Sequence, residues 1–349
     1  MSFGPANLGR AELVSGSVPR FVVTALVSLC ALAAPVTASA YPWPVRPFNK
    51  PHPVRANFGD PRTIFDLSLF TNGLLGTGDF QFHNGVDIAA PDGTPVYPVV
   101  SGTVTLFDGT EIAVKTADGR TFQYFHLVPV VVNGEQVVAK QTLLGYIGRT
   151  FGHVHLTEIR GGRAWNPLSK GSLTPYRDSV KPHVTSIFMR AEGSIAPLDP
   201  LGVCGRVSVV AEASDHPSMR VPGNFATFPV SPALVTWSMR KVGGGVIQAE
   251  HVAFDVRSNL PSKPDFWDVY ARGTYQNAPR FASRQFTLMP GRFLFNLNPS
   301  LDTRSLPNGV YQVSAAASDV RGNRTVANQR FTVVNQANTP TGCPDGTRP

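Results

Sequence analysis

The chain has 349 residues, too many for one ordinary domain, and 42% hydrophobic residues, enough to bury real cores, which excludes wholesale disorder. Charged residues are only 15%, against about 25% in an average soluble domain, while 32 Gly and 31 Pro break the chain often and favour turn-rich β structure. The formal net charge is +8 at pH 7, a balance suited to anionic polymers.

Residues 1–40 read as a signal peptide. Arg10 and Arg20 precede the apolar run Phe21 to Val36, which ends at Ala38-Ser39-Ala40, a small-x-small cleavage signature. The run is shorter than the roughly 20 apolar residues a spanning helix needs, so no stable membrane span is expected in the mature form. Export in turn predicts a secreted, periplasmic or wall-associated protein, with nucleic acid excluded as a partner. Cys204 and Cys343 are the only cysteines beyond the leader. An oxidising compartment predicts that they are bridged.

Residues 41–172 are predicted to form one domain with a proline-rich N-terminal extension. Short runs rich in Val, Ile, Phe, Tyr and Thr predict strands at 96–100, 102–107, 111–116, 121–127, 143–147 and 153–159. Turn pairs Asp108-Gly109, Asp118-Gly119 and Asn133-Gly134 separate them, and no helical period is visible. The economical fold is an antiparallel sheet of about six strands. Residues 173–182 read as a linker, and 337–349 as a C-terminal tail. Between them, residues 183–336 show strands at 206–213, 233–240, 253–257, 293–297, 310–317 and 330–334 without helical stretches, which predicts a β-sandwich. The fold class is therefore all-β. Leu306 to Tyr311 followed by Ser318 to Arg324 resembles the last two strands of immunoglobulin-like and fibronectin-type modules. From 269 to 301, Arg272, Arg280, Arg284 and Arg292 alternate with aromatics and no acidic residue intervenes, a pattern that suits anionic wall polymers.

Chemistry concentrates in three clusters: His83-Asn84-Gly85-Val86-Asp87, Tyr124-Phe125-His126-Leu127 and His153-Val154-His155. Strand residues two apart face the same side, so His153 and His155 project together. Asp87 heads a predicted strand, and a turn through Asn84 and Gly85 brings His83 back beside it. Two imidazoles and a carboxylate make a three-ligand zinc shell with one position left open. No His-Glu-x-x-His, Gly-x-Ser-x-Gly or Cys-x-x-Cys motif competes with it.

Together with Gly93-Thr94-Pro95-Val96, Gly102-Thr103-Val104, Gly152-His153-Val154-His155-Leu156-Thr157-Glu158 and Asn166-Pro167-Leu168, these clusters resemble the lysostaphin-type (LytM-like) zinc metallopeptidases over residues 57 to 168. The resemblance implies a lysostaphin-like antiparallel domain in which His83, Asp87 and His155 bind Zn2+ and His126 and His153 are catalytic, one as base and the other as donor to the oxyanion or leaving amine. It also implies peptidoglycan peptides as substrate. Three features depart from the family pattern. Arg149-Thr150-Phe151 stand where the family more commonly has Ser-Thr. Gly152 abuts His153 with no proline between them, and Phe80 and Phe82 occupy the stretch where some relatives carry an assisting tyrosine. The rival reading is a non-catalytic wall-binding scaffold that regulates another hydrolase. Retention of all five residues argues against it.

Overall fold

The computed structural model describes residues 40–65, 78–281, 287–336 and Cys343. The predicted signal peptide and nearly all of the tail lie outside the described residues. Among the described residues no helix is long and apolar enough to cross a membrane.

The N-terminal part carries, in chain order, β1 (Val54–Ala56), β2 (Pro61–Phe65), β3 (Gly78–Phe82), β4 (Val86–Ala89), β5 (Pro95–Val96), β6 (Gly102–Leu106), β7 (Ile112–Lys115), β8 (Thr121–Phe125), β9 (Leu127–Pro129), β10 (Gln136–Val137), β11 (Gly145–Ile147), β12 (His153–Arg160) and β13 (Arg163–Trp165). The main sheet runs β1-β4-β12-β8-β7-β6-β10, with β13 added to β12. It is larger than the sequence suggested because strands of two to four residues, too short to show a period, extend it on both sides. The predicted strand 96–100 shrinks to Pro95–Val96, since the chain leaves the extended state before Val99 and Val100.

Strand β12 lies between β4 and β8, all antiparallel. Its alternation divides the sheet into two faces. Val154 and Leu156 stand beside Ile88 and Val86 of β4, and Tyr124 of β8 lies opposite Leu156; all are buried in the apolar core with Phe122, Ile112 and Val114. Glu158 points to this same side and is fully buried, where it accepts from Tyr41 Oη at 2.7 Å and Arg160 Nε at 2.7 Å. The N-terminal extension is thereby tied to the back of the sheet. The opposite face carries His153, His155 and Thr157.

The C-terminal part adds β14 (His183–Ala191), β15 (Arg206–Ser214), β16 (Leu234–Lys241), β17 (Val246–Asp255), the one-turn helix α1 (Phe266–Val269), β18 (Arg280–Phe281), β19 (Leu294–Asp302), β20 (Gly309–Ser318) and β21 (Arg324–Val333). One sheet is β14-β15-β19 and the other β17-β16-β20-β21. Val235, Trp237 and Met239 of β16 and Tyr311, Val313, Ala315 and Ala317 of β20 are buried at every second position, the face turned to the core, while Thr236, Ala316 and Ser318 are buried on the other side. These side chains join Val207, Val209 and Ala211 of β15 in one core. Cys204 and Cys343 form a disulfide with 5.7 Å between their Cα atoms, as the sequence predicted. The helix α1 was not anticipated. It carries Phe266 into a cluster with Phe80 and Phe82 of β3.

The described residues form one compact unit. The two parts share a sheet, because β18 pairs in parallel with β2, which pairs with β3. Gln276 and Thr63 exchange hydrogen bonds at 3.0 and 3.2 Å, and Tyr270 Oη donates to the Gly59 carbonyl at 2.8 Å. This seam corrects one expectation about the Arg-aromatic stretch. Tyr270, Phe293 and Phe295 are buried, and Arg292 is paired with Glu212 at 2.9 Å. These three aromatics fill the interior and are not available to wall polymers, because an aromatic side chain gains most by leaving water, while Tyr275 and Phe281 are half-buried. Arg284 and Phe286 lie outside the described residues.

Candidate active site

The strand register builds the centre. His155 of β12 lies directly opposite Asp87 of β4, and His153 opposite Ala89. Gly85 lets the turn before β4 come close: a Cβ there would stand 2.4 Å from the Leu156 carbonyl oxygen, 2.6 Å from His155 Nε2 and 2.8 Å from Thr157 Oγ1. The same turn places His83 against the pair. His83 Nε2 lies 2.8 Å from His155 Nδ1 and 3.1 Å from Asp87 Oδ1, and His155 Nδ1 is 3.0 Å from that oxygen.

The outer nitrogens decide what these atoms offer. His83 Nδ1 is 2.8 Å from the Asn57 carbonyl. A carbonyl only accepts, so Nδ1 carries the proton and Nε2 turns a lone pair inward. On the far side of His155, Nε2 lies 2.8 Å from Thr157 Oγ1, a hydroxyl that accepts from Nε2–H and leaves the Nδ1 lone pair facing the same point. Two imidazole nitrogens and a carboxylate oxygen, all buried, thus converge as acceptors. That is the donor set of zinc, with each ligand held from behind by a second group, so the residues fit the ion. Burial, reinforced by the Arg62 guanidinium, pushes His83 down to about 3 and keeps it neutral. Burial pushes the Asp87 carboxyl up, but His83, His153 and Arg62 outweigh it and hold the group well below the usual carboxylate range. Arg62 donates to Asp87 Oδ2 at 3.0 Å.

His126 and His153 sit at the rim. His126 ends the run of β8 with φ +68, a left-handed conformation uncommon for a residue with a side chain and frequent at functional positions. Its ring lies on Phe151, 4.4 Å between centroids and 21° between planes, and 4.5 Å from the His153 ring. His153 Nδ1 faces the Phe151 carbonyl at 2.7 Å, so that nitrogen holds the proton and Nε2 is the acceptor, 3.4 Å from Arg55 Nη2 and 3.5 Å from Asp87 Oδ1. Burial lowers His126 to about 4 and His153 to about 3, and both rings are neutral near pH 7. The loop ahead of β12 is anchored by Asp92, which accepts from the amides of Thr150 at 2.7 Å and Gly152 at 2.8 Å. Gly152, at φ +62, makes the turn that delivers His153 without a proline.

All five residues singled out in the sequence are thus brought to one place. Asn57, Arg62 and Thr157 were missed. Thr157 had a signal, two residues beyond His155 on the same strand face; Asn57 and Arg62 reach the site only through the fold. His126, His153 and Asp87 open onto a groove of about 660 Å³, lined also by Arg55 and by Asn224, Phe225, Asn277 and Leu288 of the C-terminal part, while His83 and His155 line an adjoining cavity of about 330 Å³ that shares Arg62, Asp87 and His126 with it.

Residues 81–167 match Peptidase family M23. Curated relatives include the peptidoglycan DD-endopeptidase ShyC of Vibrio cholerae serotype O1, 33% identical over 100 residues, 26% of this chain and 23% of that protein. Another is the DD-carboxypeptidase/endopeptidase Mpg of Neisseria meningitidis serogroup B, 31% identical over 107 residues, 28% of this chain and 24% of that protein. The chain therefore spans about a quarter of the length of the curated relatives it matches. Similar solved structures include the catalytic domain of lysostaphin from Staphylococcus simulans, 23% identical, covering 32% of this chain and 86% of that chain with a TM-score of 0.24. A zinc containing peptidase from Vibrio cholerae is 22% identical and covers 37% of this chain and 39% of that chain, TM-score 0.28. His83, Asp87, His126, His153 and His155 all lie within the span, residues 81–167, that matches Peptidase family M23.

Proposed function

We propose that the protein is an exported zinc endopeptidase that hydrolyses peptide bonds in peptidoglycan cross-links or stem peptides. The observation that carries this reading is the convergence of His83 Nε2, Asp87 Oδ1 and His155 Nδ1 beside two neutral histidines at the mouth of a groove. The named activities of the relatives supply the substrate class. Zinc held by His83, Asp87 and His155 supplies Lewis acidity toward a carbonyl and activation of a water. His153, with Nδ1–H bound by the Phe151 carbonyl, offers Nε2 to take up a proton. His126, stacked on Phe151 at the rim, is placed to steady developing negative charge with its N–H, and the proton taken up at His153 is the one that passes on to the leaving amine; the two residues can exchange these roles. Phe151 and the groove wall limit water around both rings.

Within the same proposal, residues 183–336 are an immunoglobulin-like sandwich. Three strands facing four, Trp237 in the core, and Tyr311 Oη donating to the Pro307 carbonyl at 2.6 Å in the manner of a tyrosine corner support this. Digestion of purified peptidoglycan by the mature protein tests the function. New amino termini are expected, and their loss with a chelator and return with zinc. Release that persists after zinc is stripped overturns the metal mechanism, and no release from any wall preparation overturns the hydrolase.

A further inference from the structure

The groove is a joint product of both parts of the chain, and one of its cations has no carboxylate in contact. Four side chains lining it are formally ionisable acids or guanidinium groups: Arg55, Asp60, Arg62 and Asp87. Arg62 and Asp87 are paired at 3.0 Å. Asp60 is buried and faces inward, its carboxylate accepting from the amides of Asn57 at 3.0 Å and Ser231 at 2.7 Å. Arg55 is left over.

Arg55 is half-buried, and among the described residues no carboxylate lies within ion-pair distance of it. Its Nη1 donates to the Phe151 carbonyl at 3.0 Å, and its Nη2 lies 3.4 Å from His153 Nε2, at the reacting end of the groove. One face of the guanidinium rests on Phe225 of the C-terminal part, 4.6 Å from the ring centroid. A guanidinium has five N–H donors in a fixed plane, so the carbonyl and the long contact to His153 leave donors directed into the cavity. Asp87 attracts Arg55 only from beyond ion-pair distance. Holding a cation partly out of water with no carboxylate in contact is costly, and a planar fork backed by an aromatic ring matches a carboxylate. The rest of the wall, with Asn224 and the apolar Leu288, suits a peptide.

We propose that Arg55, held on Phe225, binds a free carboxylate of the substrate peptide on a residue flanking the scissile bond, and so makes the protein selective for acidic peptides. The proposal rests on the reading of the groove as a peptidase site and adds the recognition element to it. It also gives the C-terminal part a direct function, since Phe225 fixes the orientation of a guanidinium carried by the N-terminal part.

The test uses two synthetic cross-linked peptides that differ in one group: the carboxyl flanking the scissile bond is free in one and amidated in the other. Binding to the mature protein is measured by calorimetry in the His126→Ala background, and kcat/KM on the unmutated protein. A charged hydrogen bond of this kind predicts tighter binding of the free acid by about tenfold to a hundredfold. Arg55→Gln removes the preference, Arg55→Lys keeps part of it, and Phe225→Ala weakens it. The proposal is overturned if the protein binds the two peptides alike, including binding neither, or if Arg55→Gln keeps the preference or loses both peptides equally. Should Arg55→Gln fail to fold, the peptide pair on the unmutated arginine and on Phe225→Ala still decides the matter. A protein that prefers the free acid but cuts neither peptide refutes the hydrolase and leaves Arg55 standing; one that cuts both at equal kcat/KM does the reverse.

Discussion

Arg62 Nη2 and Asp87 Oδ2 are 3.0 Å apart, so the carboxylate has one oxygen clamped by a guanidinium and the other, Oδ1, turned to His83 and His155. The arrangement fixes which oxygen is offered inward and keeps it ionised. Arg62→Ala is expected to lower zinc affinity by about tenfold to a hundredfold, the usual cost of losing a group that orients a ligand. Competition against a chromogenic chelator reads this directly, and an unchanged affinity would show that Asp87 is positioned by β4 alone.

The five residues divide into two behaviours. His155→Ala leaves a two-ligand site and should lose zinc and activity together. His126→Ala touches none of the three converging atoms and should keep zinc while turnover falls by about a hundredfold to ten-thousandfold, the range for a general acid or base. His153→Ala should follow His126→Ala, with some loosening because it neighbours His155 on β12. Metal content by elemental analysis beside kcat separates the classes; loss of zinc in His126→Ala would reverse its role.

Gly85 shows how a sequence motif arises from a contact. Its backbone passes so close to β12 that Gly85→Ala would drive a methyl group into the Leu156 carbonyl oxygen and the His155–Thr157 hydrogen bond. Two of the three nearest atoms belong to buried groups that cannot swing away. The variant should fold less stably, with a lower Tm, and should bind zinc more weakly even in the fraction that folds. Normal zinc binding at a normal Tm would mean that the turn relaxes without cost.

What the sequence disclosed and what it hid follow from where each residue's information lies. His83, Asp87, His126, His153 and His155 were legible because short strands and tight turns hold them, and alternation alone sets His153 and His155 on one face. The core strands at 102–106, 112–115 and 121–125 were legible for the same reason. Strands β17 and β21 began earlier than expected. Each is an edge strand with a largely exposed face, so Gln248, Glu250, Asn328 and Gln329 carry no apolar period. Arg55, Arg62 and Phe225 could not be read at all, since their meaning depends on β1, β2 and the segment near 225 meeting across more than a hundred residues.

Acidity offers a probe of the other end of the molecule. Asp215, which ends the chain's run out of β15, is buried beside Asp178 and Asp319, and burial together with those like charges pushes it up to about 8. Burial likewise raises Asp60 to about 7. An unfolded aspartate releases its proton near pH 3.9, so between about 4 and 8 the folded chain holds more protons than the unfolded one. Stability contributed by these protonated groups is complete below about 4 and is lost as pH rises toward 8. The metal-free protein should melt at lower temperature at pH 8 than at pH 5, and Asp215→Asn should narrow the gap. A gap as wide in Asp215→Asn would assign the dependence elsewhere.

The pairing of β18 with β2 sets a schedule for the newborn chain. All five chemical residues have been synthesised by position 155, yet β2, which carries Arg62 close behind its strand pairing, gains its second neighbour only when residues 280 and 281 arrive, and Asp60 waits for Ser231. Contacts so distant in sequence form slowly and late. The ligand set is therefore made early and the groove is finished last, so a growing or half-folded chain presents the histidines without the wall that would hold a substrate against them.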